Sequence, residues 1–260
     1  MTDTDTAPVD RLATESDAAL AGRLATEAGA LLRRIREQLG FSDARTLKDT
    51  GDRQSHRFLV AALGNARPAD AVLSEEAEDD LARLRTDRVW IVDPLDGTRE
   101  FGERDRVDWA VHVALWERGD LVAGAVALPA QHVTYSTDSA FSTPPAVPDP
   151  IRLVASRSRA TELVTNVADR LDAELVPLGS AGAKAMAVVR GDAEAYLHSG
   201  GQYEWDSAAP VAVARAAGLH TSRIDGSPLI YNCRDPHLPD LLICHPALAV
   251  QVLDVIAAVR

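Results

Sequence analysis

Asp93-Pro94-Leu95-Asp96-Gly97-Thr98 sets two carboxylates and a hydroxyl directly after the apolar run Val89-Trp90-Ile91-Val92. The β-branched and aromatic residues of that run predict a buried strand, with Asp93 at its carboxyl end. Pro94 has no N–H to give a ladder, so the strand is expected to stop there and turn. The turn lets Asp93, the Leu95 carbonyl and Asp96 converge, and such hard oxygens suit Mg²⁺. Gly97 permits a sharp turn, and the Thr98 hydroxyl, one step beyond the ligands, is placed to hold a metal-bound water. A strand followed by a capped turn would use the same residue types; the run as a whole favours the metal site.

Further carboxylates follow the same pattern. Ala71-Val72-Leu73-Ser74 reads as a short strand that ends in Glu75-Glu76. Alone, the acidic run from 75 to 80 would be a solvated helix start. Beside a second strand that also ends in acids, it brings Glu75 and Glu76 to one sheet edge, the usual place for sites in open α/β sheets. Asp206 falls near the start of a helix running to Ala217, as an N-cap or as a third wall of the metal site. Asp52 is expected at the start of a second helix over 53–63. Gly179-Ser180-Ala181-Gly182-Ala183-Lys184, ahead of a helix over 185–190, can cradle phosphate with backbone N–H groups. Arg157 and Arg159 can meet an anion or cap a helix. His112, among apolar neighbours, reads as a hydrogen-bonded core histidine rather than a ligand.

Other elements must hold these groups. Leu20, Leu24, Leu31, Leu32, Ile35 and Leu39 recur at helical spacing over 15–40. Strands over 110–116 and 121–128 form a hairpin. Pro144, Pro145, Pro148 and Pro150 mark a boundary near 142–150, dividing an N-terminal half (11–145) from a C-terminal half (146–260) behind a disordered tail (1–10). The second half reads as strands at 151–155, 174–178 and 193–198, a loop at 199–204, strands near 229–232 and 241–244, and a helix over 246–259.

The net charge of −12 excludes nucleic acid and anionic membrane as partners, because affinity for phosphate backbones needs clustered Lys and Arg. A small phosphorylated metabolite is compatible once divalent cations invert the local charge. A hydrophobic fraction of 46% without a bilayer-length apolar run gives a soluble globular chain. The first ten residues lack the basic and apolar regions of a secretory signal, so a cytoplasmic location is expected. Cys233 and Cys244 have no metal-ligand spacing and read as buried thiols in a reducing compartment.

In order, spacing and strand-end context, Glu75-Glu76, Asp93-Pro94-Leu95-Asp96-Gly97-Thr98 and Trp205-Asp206 resemble the metal-dependent, lithium-sensitive inositol monophosphatase superfamily across nearly the whole chain. The resemblance implies an α/β (α+β) fold, a layered α-β-α-β-α sandwich of the sugar-phosphatase type, and a homodimer. It implies metal ligation by Glu75, Asp93, the Leu95 carbonyl, Asp96 and Asp206, with two or three Mg²⁺ ions. Thr98 would position the attacking water, and Glu76 or Asp52, acting through Thr98, would accept its proton.

Gly97-Thr98-Arg99-Glu100-Phe101 is similar to the basic-Glu-Phe ending of the 3′(2′),5′-bisphosphate nucleotidases, the CysQ-type branch, and Ser74-Glu75-Glu76 and Gly179-Ser180 with Lys184 point the same way. The implied reaction removes the 3′-phosphate of adenosine 3′,5′-bisphosphate (PAP) or its sulfated precursor (PAPS) in sulfur assimilation. Gly97, Thr98, Gly179 and Ser180 would face that substrate. Lys184 and Arg157 would take the second phosphate, and apolar surface of the second half would stack the adenine. One departure stands out: the family's Thr-x-x-Asp segment reads Asp49-Thr50-Gly51-Asp52, with Asp52 at the expected distance before Glu75 but Thr displaced. An inositol monophosphatase or fructose-1,6-bisphosphatase would share the metal cage and differ in pocket shape. A non-catalytic phosphometabolite sensor would have little need of Thr98 or a second carboxylate.

Overall fold

The computed structural model describes residues 15–144, 146–158 and 160–260; the expected tail at 1–10, and Arg159, lie outside them. The first periodic segment forms α1 (Asp17–Leu39), capped by the Ser16 side chain, which accepts from Ala19 N at 3.1 Å, and it buries Leu20, Leu24, Leu32 and Ile35. The second helix, α2 (Ala44–Ala66), starts well before 53. The Asp43 carboxylate caps it by accepting from Thr46 N at 3.0 Å and from the Thr46 hydroxyl at 2.6 Å. Asp52 therefore sits inside a helix rather than at its start.

β1 (Ala71–Ser74) pairs parallel with β2 (Arg88–Asp96), with Ser74 opposite Val92, so Glu75 follows its strand just where Asp93 stands on the neighbour. β3 (Ala110–Glu117) and β4 (Asp120–Leu128) form the expected hairpin, and β5 (Val133–Ser136), which the sequence pattern did not reveal, extends the sheet in the order β1-β2-β3-β4-β5. Pro94 does not end β2. Between the pairs Asp93 with His112 and Asp96 with Ala110, β2 carries one more residue than β3, and the N–H that Pro94 lacks falls within this bulge. A single turn, α3 (Thr98–Phe101), follows from Gly97, whose φ of 84° is the left-handed conformation that favours glycine.

The second sheet joins β6 (Arg152–Ser156), β7 (Glu174–Leu178), β8 (Ala195–Tyr203), β9 (His220–Ser222) and β10 (His237–Cys244) in the order β7-β6-β8-β10-β9. β8 continues as far as Tyr203 through the loop expected at 199–204, because Gly200 and Gly201 take φ of 111° and 87° and let the chain kink before it pairs with β10 again, and Glu204 opens the next helix. Residues 229–232 form no strand; His220–Ser222 supplies that edge instead.

Five layers result. Leu24, Leu59, Trp90 and Val92 pack α1 and α2 on the outer face of the first sheet. Val89, Ile91, Met186, Val211, Tyr196 and Leu241 fill the space between the sheets, where α5 (Ala181–Arg190) and α6 (Glu204–Ala216) lie. Val164, Val167, Leu242, Val252 and Ile256 seal α4 (Glu162–Leu171) and α7 (Ala249–Val259) on the far side. Trp90 and Val92 face one core and Val89 and Ile91 the other, so β2 is apolar on both faces. The first sheet draws on residues 71–136 and the second on 152–244, yet α6 packs against β2, β3 and β4, so the two halves share one interior.

Buried Arg83 ties the acidic loop after β1 to the second half. It pairs with Asp79 at 2.7 Å and donates to Asn232 Oδ1 at 2.6 Å and the Cys233 carbonyl at 2.7 Å. Glu204, at the start of α6, accepts from the N–H groups of Asn232 and Cys233.

Candidate active site

The bulge in β2 creates the acidic cluster. Positions 93 and 96 would face opposite sides of a regular strand, and one extra residue returns them to the same side. Asp206, in the first turn of α6, completes the set: oxygens of Asp93, Asp96 and Asp206 lie within 4.8 Å of one another. Asp206 Oδ2 accepts from Tyr203 N at 2.7 Å, so one carboxylate both closes the helix start and walls the site.

Asp96 is anchored more firmly. Its Oδ2 accepts from the Ser180 hydroxyl and from Gly182 N at 2.7 Å and stands 3.2 Å from His112 Nε2. Burial opposes its charge, but His112, Lys184 and Ser180 outweigh that and hold it well below the usual carboxylate range. Its neighbours move the other way. Burial, then Glu75, Asp96 and Asp206, raise Asp93 well above its ordinary value. Burial and Asp96 push Asp206 up to about 6. Glu75 is pushed up to about 7 by desolvation of its carboxyl group and by Asp206, against a hydrogen bond with Asp93. Crowded, mutually repelling carboxylates, opposed by His112 and Lys184, are a donor set that fits a divalent metal ion, and all their oxygens are hard.

Thr98 and Asp52 meet beside this cluster. The Thr98 hydroxyl lies 3.0 Å from the Leu95 carbonyl and 3.3 Å from Asp52 Oδ1. Burial, and after it the charge of Glu76, pushes Asp52 up to about 7. The structure thus puts Asp52 on Thr98, whereas no hydrogen bond joins Glu76 to Thr98 among the described residues.

A cavity of about 510 Å³ opens over the cluster, lined by Glu75, Asp93, Leu95, Asp96, Gly97, Thr98, Gly179, Ser180, Lys184 and Asp206, and on its far wall by Tyr196, His198, Gln202 and Tyr203. The Gly179–Lys184 segment lies against it, and three of its N–H groups are engaged by side chains of the protein: Gly179 N donates to Asp108 Oδ2 at 2.6 Å, Gly182 N to Asp96, and Ala183 N to Ser180 Oγ at 2.9 Å. The start of α5 therefore holds a carboxylate of the protein itself. Lys184 Nζ donates to the carbonyls of Gly179 and Ser180 and lies 5.3 Å from the Tyr196 ring centroid. Arg157 is not among the cavity-lining residues; it pairs with Glu100 at 2.8 Å and Glu103 at 2.7 Å.

His112 proves to be a core histidine, with Nδ1 2.9 Å from the Trp205 carbonyl, and it also faces Asp96. The sequence reading missed that second contact, along with Asp108 and Tyr203. Tyr203 stacks on Trp205 at 4.7 Å and 8°; the Tyr-x-Trp spacing beside Asp206 was the available signal.

A family model described as "Inositol monophosphatase family" matches residues 7–257. The chain is 52% identical over 237 residues to the 3′-phosphoadenosine 5′-phosphate phosphatase of Mycobacterium bovis, covering 88% of this chain and 89% of that one. It is 33% identical over 199 residues to the 3′(2′),5′-bisphosphate nucleotidase CysQ of Escherichia coli K12, covering 72% and 80%. The crystal structure of CysQ from Bacteroides thetaiotaomicron superposes with a TM-score of 0.76 at 29% identity over 90% of this chain and 99% of that one.

Proposed function

The chain belongs to the inositol monophosphatase family, and from that premise we propose that it is a phosphoric monoester hydrolase that removes the 3′-phosphate of PAP or PAPS, a step of sulfur assimilation. The observation that carries this reading is the convergence of Asp93, Asp96 and Asp206 with Thr98 in the lining of a cavity of about 510 Å³, with Asp52 behind the Thr98 hydroxyl at 3.3 Å.

Glu75, Asp93, the Leu95 carbonyl, Asp96 and Asp206 would hold two or three Mg²⁺ ions. Such ions supply charge neutralisation for the phosphate and lower the pKa of water. The protein's residues then have separate tasks. Thr98 and Asp52 orient the attacking water and take its proton: a hydroxyl aimed by a carboxyl poised near neutrality suits general-base work. Ser180, Gly182 N and His112 keep Asp96 ionised and fixed. The Tyr203 ring, supported from behind by Trp205 and lining the cavity, offers a flat surface for a purine. Identity of 52% with a phosphatase named for PAP supports this branch over an inositol or fructose phosphatase. The reading includes a cytoplasmic homodimer; Cys233 and Cys244 are both free thiols, as a reducing compartment leaves them.

Phosphate release from PAP, inositol 1-phosphate and fructose 1,6-bisphosphate, each with Mg²⁺, with EDTA and with added Li⁺, tests it. PAP is expected to lead in kcat/KM by at least tenfold, with activity lost in EDTA. Equal rates on all three, or full activity without divalent ions, overturn it.

A further inference from the structure

We infer that His112 is a positioning residue that locks two walls of the metal site to each other; this rests on the metal-site reading above. Its ring is fully buried on β3 and spans the gap between the end of β2 and the start of α6. Nδ1 lies 2.9 Å from the carbonyl of Trp205, the residue immediately before Asp206, and Nε2 lies 3.2 Å from Asp96 Oδ2. The Nε2 contact falls short of a regular hydrogen bond, and that nitrogen has no hydrogen-bond partner among the described residues. One imidazole therefore touches both segments that bring Asp96 and Asp206 within 4.8 Å.

The surroundings are built for the ring. A Cβ at Gly182 would stand 2.2 Å from His112 Nε2 and 3.0 Å from Ala110 Cβ, so only glycine lets α5 come this close while its N–H also reaches Asp96. Asp96 Oδ2 is thus held by three groups from two elements, His112 from β3 and Ser180 and Gly182 from the start of α5. Of the three, His112 also has a hydrogen-bond contact to α6, at the Trp205 carbonyl. Groups that orient a ligand without touching the metal are each worth about 10- to 100-fold in metal affinity.

The test separates the two ends of the ring. In His112→Asn the amide nitrogen falls near the Nδ1 position and keeps the Trp205 contact; in His112→Gln it falls near Nε2 and keeps the Asp96 contact. Metal-free full-length protein is titrated calorimetrically with Mn²⁺, alongside the wild type. Each variant is expected to bind about 10- to 100-fold more weakly and, at saturating Mg²⁺, to lose kcat with KM for PAP changed less than threefold. Variants that bind as the wild type does overturn the inference while leaving the metal site standing. A wild type that binds no Mn²⁺ takes down the metal-site reading, and this one with it. Should neither variant fold, nuclear Overhauser contacts of the His112 ring in the wild type decide: contacts to both Asp96 and the Trp205–Asp206 segment are expected, and a ring that reaches only one of them overturns the bridge.

Discussion

The Thr98 hydroxyl stands 3.3 Å from Asp52 Oδ1, joining the turn after β2 to the interior of α2. Thr98 has one hydrogen to give and also lies 3.0 Å from the Leu95 carbonyl, so its donor is shared between two acceptors unless Asp52 carries a proton. A base that acts through the hydroxyl gives a clear pattern. Thr98→Ala and Asp52→Asn should each lower kcat by about 10²- to 10⁴-fold, with KM for PAP little changed, and Thr98→Ser should keep most of the activity. Steady-state kinetics at saturating Mg²⁺ checks this; an Asp52→Asn enzyme within threefold of wild type would remove Asp52 from the reaction.

Asp93 and Asp96 share a bulge yet should respond oppositely to loss of charge. Asp96 is held ionised by a buried His112 and two further donors, so Asp96→Asn leaves those groups poorly matched and should cost about 1–3 kcal/mol of metal-free stability. Asp93 is strained by burial and by Glu75, Asp96 and Asp206, so Asp93→Asn should raise the metal-free Tm. Both variants should lose Mg²⁺-dependent turnover. Thermal melts in EDTA distinguish them, and a drop in Tm for both would contradict the assigned charge states.

Stability without metal should fall as pH rises from about 4 to about 7. Glu75 and Asp52 are pushed up to about 7 and Asp206 to about 6, from ordinary values near 4. In that window these three carboxyls bind more protons in the folded chain than in the unfolded one, which makes their contribution to the slope of unfolding free energy against pH negative. It outweighs that of His56 and His220, which burial shifts downward and which act the other way. Asp17 and Asp43, shifted downward, act only below it. Melts in EDTA at pH 5.5 and 7.5 should show the higher Tm at pH 5.5, and saturating Mg²⁺ should shrink or reverse the difference. A flat profile in EDTA would mean that the carboxylates do not repel one another as placed.

Tyr203 is 46% exposed, although it stacks on Trp205 and lines the cavity. Stacking of a base on an aromatic ring contributes about 1–3 kcal/mol, so Tyr203→Ala should raise KM for PAP about 5- to 100-fold. Hydrolysis of a phosphomonoester without a base should be unaffected. A parallel loss on both substrates would make the ring structural.

The site was legible wherever a signal was local. Strand-end carboxylates, the Asp-Pro-Leu-Asp-Gly-Thr run and the Trp-Asp pair carried position and type together, and the five-layer architecture followed from their family. Partnership was not legible. The N–H groups of Gly179, Gly182 and Ala183 look available to a phosphate in one dimension, but in the fold they meet Asp108, Asp96 and Ser180. Arg157 looks like an anion site until Glu100 and Glu103, more than fifty residues away in sequence, close on it. Pro94 obeys its own chemistry and lacks a ladder bond, yet the strand resumes because β3 still offers partners as far as Ala110. Short edges such as β5 and β9 depend on the strands beside them more than on their own residues.

Because Asp206 belongs to a helix that packs between the two sheets, the cluster of Asp93, Asp96 and Asp206 cannot exist in either half of the chain alone. A ribosome-bound product that stops before residue 206 has Asp93 and Asp96 but no third wall, and so should leave cellular magnesium uncaptured. On the proposed reading, loading with an ion would then be a late event in the protein's life, one that waits until the two halves have met.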